Sequence, residues 1–274
     1  MKTIETKLCV GAETPFLAIH LSDTHLTYAD ERDGERKVKL AQNRKRFFEE
    51  SELILAAASQ ESHQYNAPIL HTGDLIDFVS LANLERAKLF FSENDCFVAA
   101  GNHEFSLYVG EAWEDEAYRN QSLDLVQSAY PNNIRMSSRI IGGVNFVALD
   151  NSYYLFEDVQ TKFVREQAKK GLPIVLLLHN PLYEEKLFDT LMCQNGGCAS
   201  IVGVPEEKMT TYSPYRYRQQ KADEATERAL QYFSKEPLLK AILCGHVHVS
   251  YEGIWQGIPQ IITGMRELRK IRFS

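Results

Sequence analysis

Short unbroken apolar runs alternate along this chain with longer stretches of helical periodicity. Five runs have the length and composition of buried strands: Phe16–Leu21, Ala67–Leu70, Cys96–Ala100, Ile174–Leu178 and Leu238–Cys244. The longest helical pattern is Lys37–Ser62, with Leu40, Phe47, Leu53, Ile54 and Ala57 on one apolar stripe. Ser80–Glu93 predicts a second helix, with Ser80 as N-cap before Leu84, Ala87 and Phe91. Asp158–Lys170, stopped by Gly171, and Ala222–Lys235 predict two more. Ile140–Ala148 predicts a hairpin turning at Gly142-Gly143 and leading into a strand that ends at Asp150. Tyr28–Arg36 and Tyr183–Gln220 fit no regular pattern, and a loop as long as the second is usually functional or mobile. Strands alternating with helices predict a layered α/β fold. A chain of 274 residues can hold one large core, so residues 1–274 read as a single domain with a lid or insertion at 183–220.

Each of the five strand-like runs leads into side chains that bind metals. Asp23 and His25 follow the first, Asp74 the second, Asn102 and His103 the third, His179 the fourth, and His246 and His248 the fifth. Ligands gather outside the carboxyl ends of strands in α/β sheets, so these eight residues are aimed at one rim. Asp23 and His25, like His246 and His248, stand two residues apart, so on extended backbone both members point to the same side. Gly73, Gly101 and Gly245 each precede a candidate ligand at a strand end, where the chain must turn sharply. A lone Asp or His at a strand end is ordinarily a turn former; five of the eight histidines falling in such positions, in order, is not ordinary. The pattern predicts two metal ions and hydrolysis of an ester. Of the remaining histidines, His20 and His71 read as core groups or groups supporting the ligands, and His63 as a surface residue.

Composition narrows the field. Hydrophobic content of 44% and charged content of 24% are those of a globular protein. The net charge of −7 argues against a broad nucleic-acid footprint. No apolar stretch reaches the length of a membrane helix, and the first ten residues lack the apolar core of a signal peptide, so a cytoplasmic location is expected. Cys96 and Cys244 sit inside apolar runs, and Cys193 and Cys198 flank Asn195-Gly196-Gly197; free thiols are expected over a disulfide between the latter two.

The ordered set Asp23-x-His25, Gly73-Asp74-x-x-Asp77, Gly101-Asn102-His103-Glu104, His179 and Gly245-His246-x-His248 resembles the calcineurin-like metallophosphoesterases, over residues 16 to 248 and with no metal-binding position missing. The resemblance implies a four-layer α/β/β/α sandwich with a dimetal site at the carboxyl ends of the strands. It implies that Asp23, His25, Asp74 and His248 hold one ion, and that Asp74, Asn102, His179 and His246 hold the other, Asp74 bridging. A bridging hydroxide would attack the phosphoester, with His103 protonating the leaving oxygen or stabilising the equatorial charge. Asp77 and Glu104 would orient ligand histidines, and Asp150 would end a strand on the same rim. Oxygen and nitrogen ligands without a thiolate suit manganese, iron, zinc or cobalt.

Protein phosphatases of this family usually carry Arg-Gly after the second acid and Arg before Gly-Asn-His; here Phe78-Val79 and Ala100 stand there, which disfavours a phosphoprotein substrate. A small phosphodiester or nucleotide is the leading expectation. Tyr212, Tyr215, Arg216, Tyr217 and Arg218 would stack on a base and hold a phosphate, or pack the loop onto the domain. Asn151–Tyr154 would form a pocket lip. The competing readings are a nuclease, which the acidic balance disfavours, a lipid-linked pyrophosphate hydrolase, and a non-catalytic metal-binding scaffold. Oligomeric state is not legible.

Overall fold

All five ligand-bearing runs fold as strands, because each is apolar enough to be buried on both faces. The computed structural model describes residues 2–111 and 115–274. Its strands are β1 (Lys2–Leu8), β2 (Phe16–Leu21), β3 (Ile69–His71), β4 (Cys96–Val98), β5 (Met136–Ile141), β6 (Val144–Leu149), β7 (Ile174–Leu177), β8 (Leu239–Cys244), β9 (Tyr251–Trp255), β10 (Ile258–Ile262) and β11 (Glu267–Phe273). Its helices are α1 (Glu35–Lys45), α2 (Ser51–Tyr65), α3 (Leu81–Glu93), α4 (Glu116–Asn120), α5 (Leu123–Gln127), α6 (Asp158–Ala168), α7 (Glu185–Asn195), α8 (Pro214–Gln220) and α9 (Glu224–Phe233).

One sheet has the order β1-β11-β2-β3-β4, the other β5-β6-β7-β8-β10-β9. In the first, β2, β3 and β4 run parallel; in the second, β6, β7 and β8 do. Alternate residues of these strands fill the space between the sheets: Ala18, Leu70 and Phe97 from one, Phe146, Val175, Leu177 and Leu243 from the other, with Phe273 of β11. The intervening residues face helices. Ile19, Leu21 and Val98 pack with Ile54 and Leu55 of α2 and Leu84 and Phe90 of α3. Val147, Leu176 and Ile242 pack with Val164 of α6, Leu187 of α7 and Phe233 of α9. The result is the expected four-layer α/β/β/α sandwich.

Three expectations need correction. The single helix over Lys37–Ser62 is two, α1 and α2, because Arg46–Glu50 leave the helical path to deliver Phe48 onto His25, with ring centroids 4.3 Å apart. The Ser51 hydroxyl fixes that break by donating to the carbonyl oxygens of Thr24 and Phe48. Two of the predicted stripe residues, Phe47 and Leu53, are therefore 48% and 67% exposed. The irregular reading of Tyr183–Gln220 missed α7 and α8. Glu184 caps α7 by accepting from the N–H groups of Lys186 and Leu187, and Ser213 caps α8, which begins with Pro214. Finally, Tyr28–Arg36 contains a short turn at Glu31–Asp33, capped by Asp30, and the first residues of α1. Strands β1, β9, β10 and β11 lie outside every run singled out from the sequence; β8 pairs with β10, and β2 with β11.

All five cysteines are free, Cys193 and Cys198 included. Among the described residues, no helix is long and apolar enough to cross a membrane.

Candidate metal centre

The carboxyl ends of β2, β3 and β4 meet those of β7 and β8 across the gap between the sheets, and the eight candidate residues converge there. Three groups have ligand atoms within 4.8 Å of one another and could each hold a metal ion: Asp23, His25 and His248; Asp74, His179 and His246; and His25, Asp74 and His103. Asp23, His25, Asp74 and His179 are buried, His103 and His246 are half-buried, and His248 is exposed. The seven residues expected as ligands, and His103, are thus brought together.

The backbone is strained at this rim. Asp23, His25, Asp74, His246 and His248 all have positive φ, between 49° and 69°, a region that residues other than glycine rarely occupy. Two glycines make the crowding possible. A Cβ on Gly73 would lie 2.6 Å from Nδ1 of His179, and one on Gly245 would lie 2.5 Å from Oδ2 of Asp23.

Each ring is held from behind. His179 Nδ1 donates to the carbonyl oxygen of Thr72 at 2.6 Å, which turns Nε2 toward Asp74 Oδ2, 3.2 Å away. Nε2 of His246 meets the Tyr154 hydroxyl at 2.9 Å, and its Nδ1 lies 3.1 Å from His179 Nε2. His25 Nε2 lies 3.1 Å from His248 Nε2, with His25 Nδ1 3.1 Å from Asp77 Oδ1. Asp23 accepts the His246 N–H with both oxygens, at 3.1 and 2.9 Å. His103 Nδ1 donates to the Asp77 carbonyl oxygen at 2.6 Å, leaving Nε2 for the cleft that His103 lines. Asn102 Oδ1 is buried without a hydrogen-bond partner. Two facing pairs of ring nitrogens and an orphaned carbonyl oxygen around two carboxylates form a donor set that fits hard or borderline cations.

Electrostatics separates the rings. Burial lowers the His246 imidazole to about 3, assisted by the charge on His179. At His179 burial acts downward too, but the carboxylates of Asp74 and Asp23 outweigh it and raise the ring to about 9. His103 is raised to about 10 by Asp74 and Asp77 in the same way, against burial. Burial pushes the Asp74 carboxyl up, yet His179 and His103 hold it well below the usual range.

Two expected supports behave differently from expectation. Asp77 does lie against His25 and His103, as expected. Glu104 contacts no histidine: its buried carboxylate accepts from the N–H groups of Gly101 at 2.6 Å, Asp74 at 2.7 Å and Leu75 at 2.8 Å, and from Tyr130. It therefore ties the Asp74 turn to the Gly101 turn. Asp150 does not face the cluster but pairs with Arg119 at 3.0 Å and Arg135 at 2.8 Å. Among the loop aromatics, Tyr212 packs into the core and accepts from Ala199 N–H, and Tyr217 bonds Glu206. Arg216 alone of the five lines the cleft, of about 380 Å³, with Tyr154 and Ser200.

Three supports were not legible beforehand. Arg44 of α1 binds Asp77 through two bonds of 2.6 and 2.9 Å. Phe48 covers the face of His25. A buried polar chain runs from Thr72 to His20 at 2.9 Å, on to Thr263 at 2.8 Å and to Arg269 at 3.1 Å. No spacing pointed to Arg44, which stands 33 residues before Asp77, and Arg269 is one of four charged residues in β11, so its sequence did not mark it out.

A family model for calcineurin-like phosphoesterase matches residues 16–250. Among solved structures, a dimetal phosphatase from Danio rerio is similar at 14% identity, over 91% of this chain and 88% of that one, with a TM-score of 0.51. A calcineurin-like phosphoesterase from Bacillus subtilis gives 10% identity, 92% of this chain, 81% of that one and 0.45. Phosphopantetheinyl hydrolase from Mycobacterium tuberculosis gives 10% identity, 96%, 91% and 0.42. Comparison with curated proteins finds no match.

Proposed function

The chain belongs to the calcineurin-like phosphoesterase family, and from that membership we propose that it hydrolyses a phosphodiester or nucleotide-like small substrate with two divalent ions. The observation that carries this reading is the convergence of Asp23, His25, Asp74, Asn102, His179, His246 and His248 from five strand ends onto one cleft. We assign Asp23, His25, Asp74 and His248 to one ion and Asp74, Asn102, His179 and His246 to the other; with two carboxylate oxygens, Asp74 would be able to serve both. When bound, such ions supply Lewis-acid charge at the phosphoryl group and a water acidic enough for nucleophilic attack near neutral pH.

The protein's own groups do the rest. Thr72 and Tyr154 fix which nitrogen His179 and His246 present. Asp77 accepts the Nδ1 proton of His103 through its carbonyl oxygen, which leaves Nε2 facing the cleft, where in the protonated ring it can give a proton to the departing oxygen. Arg216 is placed to bind a substrate anion at the cleft mouth. We read 183–220 as a lid over that mouth, on the strength of Ser200 and Arg216 lining it. Phe78 and Ala100, the positions where protein phosphatases carry arginine, are fully buried apolar residues, which supports a small substrate over a phosphoprotein. The free thiols support a reducing, cytoplasmic setting.

The test is turnover of bis-p-nitrophenyl phosphate and a panel of nucleotide esters with added Mn²⁺, with and without chelator. Metal-dependent hydrolysis is expected; none on any ester would favour the non-catalytic scaffold.

A further inference from the structure

Two fully buried histidines stand just behind the ligand turns and are not among the assigned ligands: His20 near the end of β2 and His71 at the end of β3. The two strands run parallel, with His20 opposite Leu70 and Leu21 opposite His71. One ring therefore lies on the interlayer face of the sheet and the other on its helical face. Each reaches a threonine beyond the end of the other strand. His20 Nε2 meets the Thr72 hydroxyl at 2.9 Å, and His71 Nε2 meets the Thr24 hydroxyl at 3.3 Å.

Both rings take the same tautomer. His71 Nδ1 accepts from the Gly73 N–H at 3.2 Å, so its hydrogen is on Nε2 and goes to Thr24. The Thr24 hydroxyl then donates to the carbonyl oxygen of Leu75 at 3.4 Å. At His20 the direction is set by Arg269, whose Nε can only donate and does so to the Thr263 hydroxyl oxygen at 3.1 Å. The Thr263 hydroxyl hydrogen accordingly goes to His20 Nδ1, 2.8 Å away. His20 Nε2 carries the ring's hydrogen and gives it to Thr72, whose own hydroxyl donates to the carbonyl oxygen of Leu21 at 3.4 Å. Burial lowers both imidazoles, which keeps them neutral as these bonds require.

The two threonines support different ligands. The Thr72 carbonyl oxygen accepts from His179 Nδ1 at 2.6 Å. Thr24 stands between Asp23 and His25 in the chain. We propose that His20 and His71 are positioning residues, one for each ion: His20 sets the ring of His179 through Thr72, and His71 sets Asp23 and His25 through Thr24. The idea rests on the ligand assignment above and adds two residues that touch neither ion.

The experiment is ¹⁵N NMR of the histidine rings. In the metal-free protein near neutral pH, His20 and His71 should each carry hydrogen on Nε2 alone; hydrogen on Nδ1 of either ring overturns the proposal. Titration with Zn²⁺ then follows the ligand rings one by one. His20→Leu should raise the half-saturating Zn²⁺ concentration about 10-fold at His179 and His246 and leave His25 and His248 near wild type. His71→Leu should do the opposite. Should either variant fail to fold, Thr72→Val and Thr24→Val remove the same bonds. Equal shifts at all four rings, or no shift at any, overturn the proposal. A wild type whose rings ignore Zn²⁺ would refute the metal assignment instead, and the tautomers alone would then decide the bracing.

Discussion

Between the sheets and at their rim, the same strands are built on opposite rules. In the interlayer, β2, β4, β6, β7 and β8 place apolar side chains at alternate positions, and Phe146 stacks edge-on to Phe273 with centroids 5.2 Å apart. A few residues further on, five polar side chains sit on left-handed backbone, each at a cost of about 1 kcal/mol or more. The rim cannot be stable in isolation; the interlayer and the two helical layers hold it in place. The difference teaches that substitution in one region should cost folding and in the other chemistry.

That division can be broken at its strongest point first. His103→Ala is expected to lower kcat about 10²–10⁴-fold while melting near wild type and retaining metal; loss of metal would show that His103 is a ligand, as its place beside His25 and Asp74 allows. Phe146→Ala should do the reverse, removing about 3–5 kcal/mol of stability by denaturant titration with the folded fraction still active. Arg44→Ala sharpens the boundary, because Arg44 stands outside the rim and acts on it through Asp77, which it binds, and Phe48, on which it packs. Activity or metal affinity should fall about 10–100-fold, with calorimetric affinity and pH profile moving together and Arg44→Lys restoring only part.

The smallest effect concerns acid. Burial lowers the His71 imidazole to about 4, so the folded protein binds its proton less readily than the unfolded chain does. Stability from this group is therefore full above the ordinary histidine range and falls as pH drops below it, by about 1 kcal/mol between pH 6.5 and 5.5. His71→Gln should flatten that part of the stability curve; an unchanged slope would place the acid sensitivity elsewhere.

Legibility followed the same division. The five ligand-bearing strands could be read because burial on both faces leaves an uninterrupted apolar signature, and Asp23, His25, Asp74, Asn102, His103, His179, His246 and His248 could be read because they follow those runs. Strands β9 to β11 could not, since polar residues or a proline interrupt each apolar run: Glu252 in β9, Pro259 and Gln260 in β10, and Arg269, Lys270 and Arg272 in β11. The break at Arg46–Glu50 was invisible because its cause, the ring of His25, lies 23 residues earlier in the chain than Phe48. Tyr154 and Glu104 were seen, but their work on His246 and on the Gly101 turn depends on distances that no spacing encodes.

The order β1-β11-β2 has a consequence for biosynthesis. Strand β11, the last of the eleven in chain order, belongs between β1 and β2, the first two. While residues 267–273 are still inside the ribosome, the flank of β2 stays open to any passing strand, and His20 waits for Thr263 and Arg269 to anchor it. A nascent chain can carry every candidate metal-binding residue and yet be unready to accept its ions until β11 has docked beside β2.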